Sequence, residues 1–384
     1  MRLIYLVNQR LPIEKAYGIQ IAKMCEAFAG LGLDLELVFP RRGNPSKTKK
    51  NVFDYFEVKK NFKEVMLPSL DFYLPGKLDI IAVSLKSFLS AFQLFLYSVL
   101  KKSDIIYSRD ELPLFFLSFF KKNLVFEAHK FSKKRGLFYR RFKKKKLKVI
   151  TISQGLKNEF LKFGFKFEDV LVAPDAVDLE AFDIGISKES ARKELNLPES
   201  KKLIGYVGQL RTMGMKKGID DLISSLKFLP EEVSLVLVGG NKFDIDFYKK
   251  ISENKNLNER ILFIGRVKHS LIPFYLKAFD VLTMPFPFNQ HYALYMSPLK
   301  LFEYMASHRP IVATNLSSIQ EILNEKNSVL IEPENPKNLA EGIKFTLENE
   351  SLVENLANQA FQDVKNYTWN KRTSKILDFI LEPE

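Results

Sequence analysis

The strongest chemical signal in the sequence is the segment SPLKLFEYMA at residues 297–306. Ser297 followed by Pro298 predicts the start of a helix, with serine as the N-cap and proline at the first helical position. Lys300 then lies in the first turn, where a cation opposes the helix dipole and costs about 0.3–1 kcal/mol. A bound anion would remove this cost, because the free amide groups of the helix start and the lysine would both hold it.

Glu303 lies three residues after Lys300 and shares its helix face. A carboxylate one turn beyond a phosphate site is well placed to accept hydrogen bonds from ribose hydroxyl groups. The alternative is an ordinary amphipathic helix with a chance Lys–Glu pair.

A second segment, GYVGQLRTMGMKKG at residues 205–218, has the composition of a phosphate-binding loop. It predicts a strand that ends at Gly208 and a helix that begins near Gly218. Arg211 and Lys217 lie between them, and two cations that face one pocket suit a diphosphate. Glycine lets the backbone approach a ligand closely, and the spacing is not that of a Walker A loop. Because basic loops are common, the loop alone is a weak signal. The diphosphate site is predicted from this loop and the helix at residues 297–306 together.

The elements that must position these residues follow from alternating patterns. Short apolar runs alternate with longer helical patterns along the chain, which predicts βα units and parallel sheets. A chain of 384 residues favours two domains. The predicted strands of the first half are 3–7, 35–39, 104–107, 123–127, 148–152 and 170–173. Those of the second half are 203–207, 234–238, 261–264, 280–284, 310–313 and 328–331.

The composition excludes several kinds of site. The one cysteine, Cys25, excludes a disulfide within the chain and a cysteine metal site. The four histidines show no paired ligand spacing, so no zinc site is predicted. The chain opens with Met1 and Arg2 before the apolar run LIYLV, which is too short for a signal-peptide core and predicts a buried strand. We therefore expect a cytoplasmic protein.

The net charge of +14 is confined to the first half of the chain. Residues 1–180 contain 33 Lys and Arg against 19 Asp and Glu, which gives +14, whereas residues 181–384 contain 26 against 26. Residues 121–148 alone carry 13 basic side chains and one acid, Glu127. Such a field attracts a polyanion, and its alternative is a solvated basic loop. Interleaved apolar side chains favour an interfacial surface: Phe131, Leu137, Phe138, Tyr139 and Phe142.

Residues 78–100 form an apolar segment in which 16 of 23 residues are apolar. On a helix, its polar side chains fall within one narrow stripe, and Lys86 lies near the middle. A spanning helix rarely carries such a stripe. The pattern favours a core helix, with an interfacial helix and a transmembrane span as alternatives.

Together these segments resemble glycosyltransferase family 4, a family of retaining enzymes with the GT-B fold, over nearly the whole chain. The resemblance rests chiefly on NQRLPIEKAYGIQIAKMCEAFAGLG (8–32), FEAHKF (126–131), ITISQGLKNEFLKFG (150–164), VAPDAVDLEAF (172–182), the 205–218 loop and SPLKLFEYMASHRPIVATN (297–315). It implies an α/β fold with two Rossmann-like parallel-sheet domains that face an interdomain cleft.

The charge step and the loop VAPDAVDLEAFD (172–183) divide the chain near residue 180. With the resemblance, we expect an acceptor-binding domain at 1–183 and a nucleotide-sugar-binding domain at 184–368. The C-terminal helix, 369–384, is expected to pack back on the first domain.

The resemblance assigns one group of residues to the donor phosphates. Arg211 and Lys217 would hold the diphosphate, and Gly208 would end the strand beside it. The helix start beneath it would contribute Ser297, Pro298, Leu299 and Lys300.

A second group is assigned to the rest of the donor. Glu303 would bind the ribose, and the backbone at Arg266 and Val267 would meet the base. Gly18 would let the first helix approach the phosphates. His129 would hydrogen-bond a sugar hydroxyl near the reacting carbon, although a lone histidine after a strand is more often structural.

The sequence departs from the family at two positions. Gln209 stands where the family commonly has an arginine after the glycine, so Arg211 is a substitute candidate. Tyr295 stands where the family often has a glutamate, eight residues before the ribose glutamate. The second departure leaves open which groups hold the donor sugar, and hence which sugar is used.

The resemblance implies a retaining glycosyltransferase that moves a sugar from a nucleotide-sugar donor to a membrane-associated or cell-surface polysaccharide or glycolipid acceptor. We expect no cofactor and no metal, and we interpret Asp244 and Asp246, which have a DxD spacing, as surface residues. The expected partners are the nucleotide sugar, a lipid-linked or polysaccharide acceptor and an anionic membrane surface, without nucleic acid. The expected location is cytoplasmic and peripheral on the inner face of the cell membrane. The alternatives are a nucleotide-sugar epimerase and a basic nucleic-acid-binding protein.

Overall fold

The structure of the chain is a computed structural model that describes residues 1–43, 50–72, 74–76, 79–212 and 214–382. Residue 78 of the apolar segment, residue 213 of the phosphate loop and residues 383–384 of the C-terminal helix lie outside the described residues. The chain forms two compact units. The first contains Met1–Pro174 and the chain from Trp369 onward, and the second contains Asp175–Thr368.

The first unit is built on a seven-stranded sheet in the order β3-β2-β1-β4-β5-β6-β7. All neighbouring strands are parallel. The strands read as nearly continuous apolar runs because helices cover both faces of such sheets. The strands are β1 (Arg2–Leu6), β2 (Asp34–Pro40), β3 (Lys63–Leu67), β4 (Ile105–Ser108), β5 (Leu124–Ala128), β6 (Lys148–Thr151) and β7 (Val170–Val172).

Helices follow most of these strands in chain order. They are α1 (Ala16–Gly30), α2 (Val52–Phe56), α3 (Asp79–Leu100), α4 (Glu111–Leu117), α5 (Gly136–Lys144) and α6 (Gln154–Lys162). The C-terminal helix (Trp369–Leu381) also belongs to this unit and packs against α1.

The second unit is built on a six-stranded parallel sheet. Its order is β12-β11-β8-β13-β14-β15, and it carries a two-stranded antiparallel hairpin, β9-β10. The strands are β8 (Lys202–Val207), β9 (Arg211–Thr212), β10 (Met215–Lys216), β11 (Val233–Val238), β12 (Ile261–Gly265), β13 (Val281–Met284), β14 (Ile311–Thr314) and β15 (Val329–Ile331).

The helices of the second unit cover both faces of its sheet. They are α7 (Leu179–Phe182), α8 (Lys188–Glu194), α9 (Ile219–Ser225), α10 (Lys242–Asn254), α11 (Ile272–Ala278), α12 (Gln290–Leu294), α13 (Leu299–Ala306), α14 (Ser317–Gln320), α15 (Pro336–Glu348) and α16 (Glu350–Val364). The strand order reverses between β1 and β4 in the sheet of the first unit, and between β8 and β13 in the six-stranded sheet of the second unit. Ligands of doubly wound sheets bind beyond the carboxyl ends of the strands at this position.

Every predicted strand is present, with ends that differ by a residue or so. The prediction missed β3 and the β9-β10 hairpin. β3 reads KEVML, a short strand with a polar start at the edge of its sheet. The hairpin has only two residues in each strand.

The predicted domain boundary near residue 183 is wrong, because the chain divides between Pro174 and Asp175. The Val177 amide donates to the Tyr367 carbonyl oxygen at 2.9 Å, and Phe182 is buried in the core of the second unit. The segment after Pro174 therefore belongs to the second unit. The change in net charge near residue 180 marks the end of the excess of basic residues. It does not mark the point at which the chain passes from the hydrophobic core of the first unit to that of the second.

Candidate functional site

The ends of three strands in the second unit converge through glycines. Gly208 follows β8 with a φ of +130°, and Gly239 follows β11 with a φ of +113°. A Cβ atom on Gly239 would lie 2.3 Å from the Gly208 carbonyl oxygen. Gly218 has a φ of +75°, and a Cβ atom there would lie 1.5 Å from the Pro285 carbonyl oxygen beyond β13. These positions require glycine, and the loop before α9 therefore passes close to the strand ends.

Lys300 projects into this convergence from the first turn of α13. Its side chain is buried, and its Nζ lies 3.5 Å from the centre of the Tyr206 ring. A Cβ atom on Gly208 would lie 3.2 Å from the same Nζ. Among the described residues, this ammonium group has no hydrogen-bond partner. Because a buried charge without a partner costs several kcal/mol, this arrangement suits an anion beside Gly208.

Two cations share the electrostatics of this site. Burial lowers the pKa of Lys300 well below its ordinary value, and nearby Lys217 lowers it further, whereas Glu303 opposes the shift. Burial lowers the pKa of Lys217 to about 8. Burial and Lys217 also lower the pKa of His291. An anion would favour the charged forms of both lysines, because an opposite charge nearby raises the pKa of a cation.

Glu303 and His269 form a second part of the site. The Glu303 Oε1 lies 3.2 Å from the His269 Nε2, one turn of α13 beyond Lys300. His269 lies in a short 3₁₀ turn after β12, and the sequence reasoning gave it no role in donor binding. Arg266 and Val267 precede this turn; Arg266 is exposed and Val267 packs on the core. The contact between Glu303 and His269 therefore brings the turn after β12 next to α13.

Arg211 begins the hairpin rather than an open loop. Its guanidinium carbon lies 5.1 Å from the centre of the Phe247 ring. Lys216, its partner across the hairpin, forms an ion pair with Asp220 at 2.5 Å.

The predicted cap of α13 is wrong. The helix begins at Leu299, Pro298 is the N-cap in an extended conformation, and no side chain in the described part of the chain caps the helix. The Ser297 hydroxyl instead accepts a hydrogen bond from the Asp175 amide at 2.8 Å, so it is engaged away from the helix start. Lys300 is thus the second residue of α13 and not the third.

Tyr295 and Gln209, the two residues that depart from the family pattern, both form hydrogen bonds within the second unit. The Tyr295 hydroxyl accepts a hydrogen bond from the Gln290 side chain at 3.0 Å. The Gln209 carbonyl oxygen accepts a hydrogen bond from the Tyr206 hydroxyl at 2.9 Å. Tyr206, whose ring lies beneath the Lys300 ammonium group, is therefore also hydrogen-bonded to the segment after Gly208.

Asp244 and Asp246 lie in the first turns of α10. The predicted surface position is wrong for Asp244 and confirmed for Asp246. Asp244 is buried and accepts a hydrogen bond from the side-chain amide of Asn241, whose oxygen caps the helix at the Asp244 amide. Asp246 is exposed. Within the described ranges there is no group of three or more His, Cys, Asp or Glu side chains that could hold a metal ion.

His129 lies in the first unit, directly after β5. Its Nε2 is 2.7 Å from the Oε1 of Glu127, which is fully buried. Arg372 of the C-terminal helix and Gln20 of α1 donate to the same oxygen at 3.0 and 2.6 Å. Tyr107 donates to the other carboxylate oxygen.

The charges around His129 fix its protonation. Burial would raise the pKa of Glu127, but Arg372 and the hydrogen bond from His129 outweigh it and hold that pKa well below its usual range. Burial and nearby Arg109 lower the pKa of His129 to about 4. The imidazole is therefore neutral at neutral pH, with Nε2–H donating to Glu127 and Nδ1 left as a hydrogen-bond acceptor.

Gly18 lies in the first turn of α1 and is buried. A Cβ atom there would lie 2.6 Å from Phe56 of α2 and 2.9 Å from the Ile13 side chain. The structure thus gives this glycine a packing reason, separate from the predicted approach to donor phosphates.

Residues 187–363 match the family model described as glycosyl transferases group 1. The chain is similar to this family over that range, which lies within the second unit. The matched range contains the strand-end glycines, both lysines of the site, and the Glu303–His269 pair. The matched range does not include His129, so the resemblance remains the basis for its predicted role.

Relatives over a longer part of the chain are also named as glycosyltransferases. The uncharacterized glycosyltransferase MJ1607 of Methanocaldococcus jannaschii is 25% identical over 61% of this chain and 60% of its own length. The capsular polysaccharide biosynthesis glycosyltransferase CapM of Staphylococcus aureus is 23% identical over 62% of this chain and 63% of its own length. The matches thus span less than two thirds of these relatives.

Solved structures match the chain over nearly its whole length. The Anabaena protein HepE in complex with UDP superposes with a TM-score of 0.75, at 17% identity, over 98% of this chain and 99% of its own. The two parallel sheets with their helices match GT-B glycosyltransferase structures, so the predicted fold class is confirmed. The finer assignment to family 4 stays a prediction.

Proposed function

We propose that this protein is a retaining glycosyltransferase that uses a nucleoside diphosphate sugar as its donor. The observation that carries this proposal is the buried Lys300 ammonium group, which faces Gly208 and has no hydrogen-bond partner among the described residues. Lys217 adds a second cation to the same surroundings. A diphosphate supplies the negative charge that such a pair requires. The similarity to the group 1 glycosyl transferases over residues 187–363, which include both lysines, supports the same chemistry.

In the proposed reaction, the bond between the anomeric carbon and the donor phosphate oxygen breaks. The acceptor oxygen forms the new bond on the same face of the sugar, and its proton passes to the leaving phosphate oxygen. Negative charge grows on the diphosphate as the bond breaks. Lys217, Lys300 and Arg211 would stabilise this charge, and preorganised charges of this kind are usually the largest single contribution in such a site.

The remaining contacts are proposed from the geometry and the resemblance. Glu303, oriented by His269, would accept hydrogen bonds from the ribose, and the backbone at Arg266 and Val267 would meet the base. The neutral His129 would accept a hydrogen bond from a sugar hydroxyl at its Nδ1. We propose that no metal or other cofactor takes part.

We propose a lipid-linked or polysaccharide acceptor and a cytoplasmic location, peripheral on the inner face of the cell membrane. Two observations support this choice. The relative CapM is named for capsular polysaccharide biosynthesis, and the whole excess of positive charge lies in the first half of this chain. Because HepE is described in complex with UDP, UDP-sugars are the first donors to test.

A thermal-shift screen across UDP-, GDP- and ADP-sugars tests the donor class, because a ligand that binds only the folded state raises the Tm. We expect one nucleotide series to raise the Tm of the wild-type protein. Lys300→Met preserves the buried volume and should remove most of this shift. Lys344→Met, an exposed lysine of α15, is the matched control and should keep it. The proposal fails if no nucleotide sugar shifts the Tm, or if Lys300→Met responds as the control does.

A further inference from the structure

Helix α3 presents its polar side to the protein and its apolar side outward. The Lys86 ammonium group is buried 3.6 Å from the Asp71 carboxylate. The Ser90 hydroxyl accepts a hydrogen bond from Arg42 at 2.9 Å. The core helix favoured by the sequence pattern is therefore wrong, because the polar stripe packs inward.

Further contacts fix α3 along the first unit. The Tyr97 hydroxyl donates to the Glu36 carboxylate at 2.7 Å, and the Asn8 side chain donates to the Ser87 carbonyl oxygen at 2.9 Å. These partners belong to β2 or follow β1, so the helix is tied to the sheet over most of its length.

The outward face of α3 is strongly apolar. The following six of its apolar side chains are each between 43% and 71% exposed: Ile80, Ile81, Leu85, Phe88, Phe92 and Leu96. Scattered apolar residues on a surface need no explanation, but a contiguous row along a whole helix marks an interaction site.

This apolar face continues onto α4. The Phe88 and Phe92 rings meet the Phe116 ring edge-on at 5.8 and 6.2 Å between centroids. Beyond them, Phe119 and Phe120 are 53% and 67% exposed. We call the outer residues of α3 together with Phe119 and Phe120 the apolar face.

Cations adjoin the apolar face where α4 meets α5. The Arg141 guanidinium lies 3.8 Å from the centre of the Phe119 ring. Arg135 lies 5.4 Å from the Phe138 ring, which in turn contacts Phe115 of α4. Lys122 is exposed two residues after Phe120 in the chain, and exposed Arg140 directly precedes Arg141.

The predicted membrane contact of residues 121–148 requires a correction. Tyr139 and Phe142 are fully buried in the first unit and face no solvent. The segment forms β5, a 3₁₀ turn, α5 and the start of β6, so it supplies the cations while α3 and α4 supply most of the apolar surface.

We propose that the apolar face docks on an anionic lipid bilayer, with α3 lying in the plane of the membrane. Its outer side chains would enter the interfacial layer, and the adjoining arginines and lysines would meet the lipid phosphates. Charge complementarity selects this occupant, because a lipid surface offers apolar and anionic groups at these two depths. The inference deepens the proposed membrane location and names the elements that make the contact.

The contacts of α3 favour a helix in the plane over a helix that crosses the membrane. Asp79–Leu100 is long and apolar enough to span a bilayer by length and composition. Spanning would separate Lys86 from Asp71 and Tyr97 from Glu36, and would place the lysine in hydrocarbon without its partner.

Flotation with vesicles of phosphatidylcholine alone, or with added phosphatidylglycerol, tests the docking. We expect the wild-type protein to bind the anionic vesicles at least about ten-fold more strongly. Ile80→Gln/Ile81→Gln/Leu85→Gln should reduce this binding by about ten-fold or more, since it removes apolar burial. Lys122→Gln/Arg135→Gln/Arg140→Gln should cause a loss of about the same size through the charge.

The matched control changes three exposed lysines of the second unit, as Lys227→Gln/Lys242→Gln/Lys250→Gln, and should bind as the wild type does. All variants should keep the nucleotide-sugar Tm shift, which separates a failure of docking from a failure of the proposed function. Negligible binding to both vesicle types would overturn the inference. If the wild-type protein formed dimers, and both the glutamine variant of α3 and the glutamine variant of the basic residues dissociated them, the apolar face would instead be covered by a second copy of the chain. Release of vesicle-bound protein by alkaline carbonate supports the in-plane helix, and retention would favour a spanning one.

Discussion

At the residue scale, two lysines carry the proposed donor chemistry in different surroundings. Lys300 is buried against the Tyr206 ring, whereas Lys217 is half-buried in the loop before α9. Lys217→Ala and Lys300→Ala should each lower kcat/KM by about 10²-fold or more, because each removes a charge that stabilises the leaving group. Steady-state kinetics measure the loss, and circular dichroism checks that both variants fold. Near-normal kinetics in both variants would contradict the site.

The lowered pKa of Lys217 gives donor binding a pH dependence with a defined sign. Its ammonium group is charged below about pH 8 and neutral above it. The affinity for a nucleotide sugar should therefore fall as the pH rises from about 7 to about 10, since the diphosphate keeps its charge over this range.

Lys217→Arg tests the origin of that pH dependence, because arginine stays charged throughout the same range. Titration calorimetry should show a shallower fall of affinity in this variant than in the wild type. A wild-type affinity that does not change with pH, or an identical profile in both proteins, would show that Lys217 does not bind the donor.

Activity should survive removal of divalent metal, because the two lysines supply the charge that a metal would otherwise provide. Asp244 is engaged with Asn241 at the start of α10 and has a structural task there. We expect an unchanged rate in EDTA, measured by direct detection of the released nucleotide. A rate lost in EDTA and restored by Mg²⁺ or Mn²⁺ would contradict this, and Asp246→Asn would then be the first variant to test.

The sequence predicted the lysine and glutamate of α13 because their spacing is local. It missed the partnership with His269, which depends on how the turn after β12 approaches α13. The prediction that Ser297 caps α13 was wrong for a related reason. The serine hydroxyl meets the amide of Asp175, a residue distant in the chain, and local propensity carries no information about that contact.

At the scale of elements, the C-terminal helix is held to the first unit by a buried charge pair. Arg372 donates to Glu127 and to the carbonyl oxygens of Ala173 and Pro174. Arg372→Met should lower the free energy of unfolding by about 3–5 kcal/mol, because it leaves the buried Glu127 carboxylate without its strongest counter-charge. Urea unfolding at neutral pH measures the loss.

The pH dependence of that loss provides its control. The depressed pKa of Glu127 stabilises the fold above the ordinary glutamate range, and this stabilisation disappears as the pH falls. The difference between wild type and Arg372→Met should therefore narrow below about pH 4. Lys375→Met changes an exposed residue of the same helix and should have little effect. Equal stability of wild type and Arg372→Met at neutral pH would refute the role of the pair.

Helix α3 shows where periodicity informs and where it misleads. The spacing predicted a single polar stripe, and the stripe is present. Its direction is the reverse of that in an ordinary amphipathic helix, because Asp71, Glu36 and Arg42 supply partners from elsewhere in the first unit. A pattern within one helix identifies two faces but does not say which one the rest of the fold can satisfy.

At the scale of the whole molecule, the distribution of charge separates two tasks. The first half of the chain carries the entire excess of +14, and the second half, with 26 basic and 26 acidic residues, carries none. The basic residues of α5 are mostly exposed, whereas the cations of the proposed donor site are buried or half-buried. Salt screens exposed charges strongly and buried ones much less.

The two tasks should therefore respond differently to ionic strength. Between about 50 mM and about 500 mM NaCl, the Kd for the nucleotide sugar should change by less than about three-fold, because water and ions have limited access to Lys300. Over the same range, binding to anionic vesicles should fall by about ten-fold or more, since the exposed cations of α5 lose their attraction for lipid phosphates. Calorimetry and flotation on one protein sample measure both quantities. If the two affinities fell in parallel, the donor site would be a screened surface contact, and the burial of Lys300 would have no bearing on how the donor is held.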